Sequence, residues 1–201
     1  FISTGDRIRV VDEADLPQGK PWGDFDADGD ADIAIYRPST GTWYVRNQPA
    51  VVFGTQSGDV PVPADYDGGG STDVAIYRPS TGTWYVRNQP AVTFGTQTGD
   101  VPVPVDYDGD GDADVAIYRP STGTWYVRNQ PAVVFGTQSG DVPVPADYDG
   151  DGDGDADVAI YRPSTGTWYV RNQFSATFGT QTGDVPLPLP YAVRRVYFPS
   201  G

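Results

Sequence analysis

The sequence predicts an all-β chain folded as a five-bladed β-propeller with four-stranded blades of about 41 residues. Three observations predict it. The run DVAIYRPSTGTWYVRNQ begins at Asp73 and returns at Asp114 and Asp157, and DIAIYRPSTGTWYVRNQ begins at Asp32. The repeated Tyr36, Tyr77, Tyr118 and Tyr161 stand 41, 41 and 43 residues apart, the period of a blade built from strands. Finally, 25 Gly and 19 Pro in 201 residues cut every apolar segment short, and none keeps a helical period.

The second copy illustrates the elements in order. Val74-Ala75-Ile76-Tyr77 and Thr83-Trp84-Tyr85-Val86 are β-branched and aromatic, and Pro79-Ser80-Thr81-Gly82 between them reads as a hairpin turn. Ala91-Val92-Thr93-Phe94 is the expected third strand. Val101-Pro102-Val103 is the fourth, placed at the outer edge because proline has no N–H to give to a ladder. Blades are thus expected at about 24–64, 65–105, 106–146 and 147–189. The fifth is expected to be split between 190–201 and 1–23. Val196-Tyr197-Phe198-Pro199-Ser200 aligns with Ile35-Tyr36-Arg37-Pro38-Ser39, and Ser3-Thr4-Gly5-Asp6-Arg7-Ile8 with Ser39-Thr40-Gly41-Thr42-Trp43-Tyr44. Pairing of terminal strands in one shared blade would close the ring and remove open sheet edges. The whole chain is read as a single domain that buries a full core once closed.

Composition narrows the function. There is no His and no Cys, so nucleophilic triads are excluded. The net charge of −14 argues against nucleic acid or an anionic membrane as partner. No apolar stretch is long enough to span a membrane, and the opening at Phe1 reads as that of a mature or excised product. Asp12, Glu13 and Asp15, the unusual acids of the divergent N-terminal copy, look like a loop of the worn repeat rather than a catalytic pair.

Most of the negative charge sits in loops that precede each AIYR strand. Asp24, Asp26, Asp28, Gly29, Asp30 and Asp32 spell D-x-D-x-D-G-x-x-D, and Asp106, Asp108, Asp110, Gly111, Asp112 and Asp114 repeat it. Carboxylates at alternate positions converge when a loop curls around a cation; the glycine permits the turn, position seven offers a carbonyl and position nine closes the cage. An all-oxygen set of this kind selects a hard cation, and calcium tolerates irregular loops better than magnesium. Position twelve is Ile35 or Ile117, already inside a strand, so these loops are not EF-hands. The second loop (Asp65, Asp67, Gly69, Ser71, Asp73) lacks the carboxylate at position five and is expected to bind more weakly. The fourth is two residues longer and admits two registers, Asp147-Asp149-Asp151-Asp155 or Asp149-Asp151-Asp153-Asp157. The second is preferred, with Asp155 inside it, because it keeps the last ligand immediately before the strand. Three to four ions are expected in all, and none in the fifth copy, where Pro190-Tyr191-Ala192 carries no acid.

Phe53-Gly54, Phe94-Gly95, Phe135-Gly136 and Phe178-Gly179, the Asp-rich loops and the strands ending in Tyr-Arg-Pro together resemble FG-GAP/VCBS-type repeats, those of integrin α-subunit propellers and many secreted bacterial proteins. The resemblance covers nearly the whole chain. It implies an extracellular or cell-surface propeller with structural calcium, serving adhesion or binding of a protein or glycan.

Trp43, Trp84, Trp125 and Trp168 occupy equivalent places and have two readings. With Arg46, Asn47 and Gln48 and their repeats they would make sugar sites between blades, and repetition would add avidity. Alternatively they pack against the next blade as core. Arg37, Arg78, Arg119 and Arg162 are expected to pair with loop carboxylates. Three functions follow: a non-enzymatic calcium-binding adhesion module, a multivalent lectin, or a self-associating building block of a fibre or surface layer.

Overall fold

In a computed structural model the described residues are 23–150 and 155–187. Among them there is no helix, and the chain is all-β as expected. The first sheet holds β1 (Ala34–Arg37), β2 (Thr42–Val45) and β3 (Val51–Val52) in that spatial order. The second holds β4 (Val60–Pro61), β5 (Ala75–Arg78), β6 (Thr83–Val86) and β7 (Val92–Thr93). The third holds β8 (Val101–Pro102), β9 (Ala116–Arg119), β10 (Thr124–Val127) and β11 (Val133–Val134). The fourth holds β12 (Val142–Pro143), β13 (Ala159–Arg162), β14 (Thr167–Val170) and β15 (Ser175–Thr177). Every pairing is antiparallel, and each AIYR–TWYV hairpin keeps one register, with tyrosine opposite tryptophan as in Tyr77↔Trp84.

The predicted five-bladed ring is overturned. The described residues form four separate antiparallel sheets, three of four strands and one of three, and no pairing joins the last sheet to the first. The segments assigned to the closing blade fall, apart from Gly23, outside the described residues.

The Val-Pro strand also changes sheet. Val101-Pro102-Val103 is an edge strand, but of the following repeat's sheet: Val101 lies opposite Tyr118 and Pro102 opposite Ile117, and Val103 N–H donates to Ala116 C=O at 2.9 Å. The physical reason is the alternation on either side of the proline. Val101 and Val103 are both buried and need a neighbouring face to cover them, which an outer edge does not offer. The proline costs the ladder little at an edge.

Successive repeats are therefore interlocked by their own linkers. Ile76, Ile117 and Ile160 are each about 1% exposed. Their Cγ2 methyls press on Gly54, Gly95 and Gly136 of the preceding repeat, where a Cβ would come within 2.7 Å. Each such glycine also has φ between 83° and 86°, so the Phe-Gly pair meets a steric and a conformational demand together. Its two carbonyls are used as well. Trp84 Nε1 donates to Phe94 C=O at 3.0 Å, and Tyr77 Oη donates to Gly95 C=O. The same pair of bonds recurs in the other three copies.

Candidate metal centres

Each acidic loop in the second to fourth sheets joins the Val-Pro strand to the AIYR strand and is closed by a bridge: Ala64 to Asp73, Val105 to Asp114, Ala146 to Asp157. The residue at position nine is thus held by the sheet itself. Its carboxylate reaches back across the loop to accept from the backbone N–H of the residue at position two, as in Phe25 to Asp32 (2.8 Å), Tyr66 to Asp73 (3.0 Å), Tyr107 to Asp114 (3.0 Å) and Tyr148 to Asp157 (2.9 Å). Position one organises the turn from the other side. Asp24 accepts from Ala27 (2.7 Å) and Gly29 (3.0 Å), and Asp106 accepts from Gly109 (2.7 Å) and Gly111 (2.8 Å).

These bonds aim three carboxylates at one point in every repeat. Oxygens of Asp24, Asp26 and Asp32 lie within 4.8 Å of one another, as do those of Asp65, Asp67 and Asp73, those of Asp106, Asp108 and Asp114, and those of Asp147, Asp149 and Asp157. Each triad is able to hold a metal ion. Three anionic groups so close repel one another. Partial burial, then the neighbouring aspartates, raise the Asp73 and Asp114 carboxyls above the ordinary carboxylate range, against the lowering effect of the Tyr66 and Tyr107 N–H bonds. A cation removes that repulsion and accepts all three oxygens.

The carboxylates at the first, third and last positions converge; in the first and third loops those at positions five and seven are not among them. Asp28 and Asp110 turn to the backbone N–H of Asp30 and Asp112, both at 2.9 Å. Ser71 lines the cleft between the first two sheets, as does Asp73 of the second triad. The second loop, expected to be the weakest for want of position five, has its triad complete. In the fourth loop the triad among the described residues joins Asp149 and Asp157, both in the preferred register, with Asp147 from the other. Asp155 is outside the triad, while Asp151 and Asp153 lie outside the described residues. The signal for Asp147 was its place two residues after Pro145, matching Asp65 and Asp106. The third group near the triads is a glutamine from the RNQ turn. Gln173 Nε2 donates to Asp149 at 2.7 Å and to Asp157 at 2.5 Å, with Gln130 placed likewise against Asp114 and Asp108 at 3.5 Å.

The tryptophans are core. Trp84 and Trp125 are 1% exposed and Trp43 3%, each tilted against its partner tyrosine at 4.9–5.2 Å; Trp168 is half-buried in the same arrangement. None of the first three offers an open ring face for stacking. Trp84 and Trp43 back two equivalent clefts of about 200 Å³ and 210 Å³ between adjacent sheets, rimmed by Gln89, Arg128 and Asn129 in one and Gln48, Arg87 and Asn88 in the other.

The arginines do not pair with the metal loops. Arg78, Arg119 and Arg162 form two-pronged ion pairs with Asp59, Asp100 and Asp141, the aspartates just before each Val-Pro strand, at 2.7–3.0 Å. Those aspartates are buried to within 1% of their side chains. Each guanidinium also lies 4.6 Å over a tyrosine ring (Tyr85, Tyr126 or Tyr169). Hydrogen bonding to the aspartate raises the arginine pKa further. The chain matches no protein-family model, no curated protein and no solved structure.

Proposed function

We propose that this chain is a non-enzymatic, calcium-binding extracellular module that presents a row of sheets to a protein or glycan at a cell surface or matrix. The observation that carries the reading is the recurrence of one carboxylate triad in all four loops, at positions one, three and nine in the first three and at one, three and eleven in the longer fourth. An all-carboxylate set in an irregular loop favours a hard cation of flexible geometry, and calcium fits that better than magnesium. Calcium would be held by the triads named above, with Gln89, Gln130 and Gln173 as neighbours able to orient carboxylates or bound water. A chain without His or Cys has few means of catalysis beyond these same carboxylates.

The FG-GAP/VCBS resemblance of the Phe-Gly pairs and acidic loops supports the same reading and implies a location outside the cell. A glycan is the second class of partner, favoured by the clefts between sheets; there Gln48 Nε2 is buried and makes no hydrogen bond. Any sugar would be held by polar groups at the cleft rim, since the indoles are covered.

The test is calorimetric titration of chelator-stripped protein with calcium, with melting curves at both end points. Saturable binding approaching four ions is expected, with a marked rise in melting temperature. Each site filled to a hundredfold over its Kd contributes about 2.7 kcal/mol. No binding and an unchanged melt would reduce the loops to acidic turns and remove the proposal's foundation.

A further inference from the structure

The three junctions between successive sheets are built alike, and the chain's described residues end in the two separated halves of a fourth. On one side of each junction stand a buried aspartate, a Val-Pro-Val strand and a Phe-Gly glycine. On the other stand the AIYR strand, its isoleucine and its arginine. The second half is present, uncovered, on the first sheet. Ile35 is 55% exposed and Ile33 67%, where Ile76, Ile117 and Ile160 are about 1%. Among the described residues no Val-Pro strand lies beside β1, and its sheet has three strands. Arg37 lies over Tyr44 like its counterparts and donates to Tyr44 Oη at 2.7 Å, but it has no carboxylate partner among the described residues.

The first half is present after the fourth sheet, with Pro186 buried but the residues on either side of it exposed. Asp184-Val185-Pro186-Leu187 corresponds to Asp141-Val142-Pro143-Val144. Val142 and Val144 are 1% exposed, whereas Val185 is 42% and Leu187 76%. Asp184 accepts only the Gln181 N–H among the described residues. Gly179 has Tyr161 and Asp184 as nearest neighbours, where the earlier glycines meet an isoleucine.

We propose that these two faces bind each other between copies of this chain, the end of one molecule docking on the first sheet of the next. Val185-Pro186-Leu187 of one copy adds as the missing fourth strand beside Ala34–Arg37 of its neighbour, main chain to main chain. Asp184 pairs with Arg37, and Ile35 seats on Gly179. The occupant is specified by three junctions within the chain that join these same residue types, with apolar surface, hydrogen-bonding edge and opposite charges all in matching places. Such contact uses different surfaces on the two molecules, so it builds rings or filaments rather than a two-fold dimer. The proposal does not rest on the metal reading.

The test is the weight-average mass of the full chain by light scattering and sedimentation from micromolar to millimolar concentration, at physiological salt to screen the net charge of −14. Mass is expected to rise with concentration. Arg37→Asp and Asp184→Arg, both at solvent-accessible side chains, are each expected to weaken association by about tenfold or more through like-charge juxtaposition. Circular dichroism of each variant checks that the sheets persist. An equimolar mixture of the two variants, or both changes in one chain, restores opposite charges at every junction and should restore the mass. A monomer at every concentration overturns the proposal. So does association that neither charge reversal alters.

Discussion

At the scale of single residues, position nine of each acidic loop does two jobs. Asp114 is fixed by the Val105 bridge and by the Tyr107 N–H, and it supplies one of three converging oxygens. Asp110, four residues earlier, instead accepts the Asp112 N–H. Asp114→Asn should therefore delete one calcium from the stoichiometry, with affinity at that loop falling on the order of tenfold or more as ligand charge is lost. Asp110→Asn should leave the stoichiometry unchanged. Equal losses from both changes in calorimetry would mean that position five ligates after all. The spacing of acids made the loops legible as cation sites. It did not reveal which carboxylates turn inward, because alternate positions look alike until the backbone N–H groups they accept from are known. The two extra residues of the fourth loop hid Asp147 for the same reason.

At the scale of elements, the hairpins were readable because short β-branched and aromatic runs flank Pro-Ser-Thr-Gly on both sides. The membership of the Val-Pro strand was not. A repeat can be cut at any phase, and only the burial of Val101 and Val103 against the next AIYR strand assigns it. With that assignment the 19-residue interval from Asp100 to Arg119 becomes a cross-strand ion pair at a junction. Asp100→Ala should cost about 3 kcal/mol, toward the lower end for a buried pair because Arg119 keeps some solvent contact. Denaturant midpoints check this; a loss under a few tenths would show that the guanidinium is content over Tyr126 alone. Gly95→Ala should be comparably damaging, at roughly 1–3 kcal/mol, because its methyl would overlap Ile117. Gly99→Ala, with open space around it, should cost only the strain of its positive φ.

For the whole molecule, the repeat period argued for closure, but a period does not tell whether the last unit meets the first. The first sheet's exposed Ile33 and Ile35 and the exposed Val185 and Leu187 are what local pattern cannot report. Stability is accordingly a sum over sheets and junctions, as in other repeat chains. The buried tyrosines set its alkaline limit. Burial raises Tyr66 and Tyr107 well above their ordinary value near 10 and raises Tyr77 and Tyr148 to about 12; the Oη of Tyr66, Tyr107 and Tyr148 donates to a valine carbonyl. A raised folded pKa means this stability is whole below pH 10, the unfolded value, and drains away as pH climbs toward 12 and beyond. Tyrosinate absorbance from these residues should therefore appear together with loss of the sheet signal, not before it. A last property follows from how the loops touch. Thr72 N–H donates to Asp24 C=O at 2.5 Å, Ala113 to Asp65 at 2.6 Å, and Ala156 to Asp106 at 2.7 Å. In each case the main chain of one triad's first ligand holds the residue just before the next triad's last. If the triads hold calcium as proposed, an ion that orders one loop would prearrange its neighbour, and the four sites are expected to be reciprocally coupled rather than independent. Calcium uptake should be sigmoidal, and Asp73→Asn, by silencing the second loop, should flatten the response of the loops on either side of it.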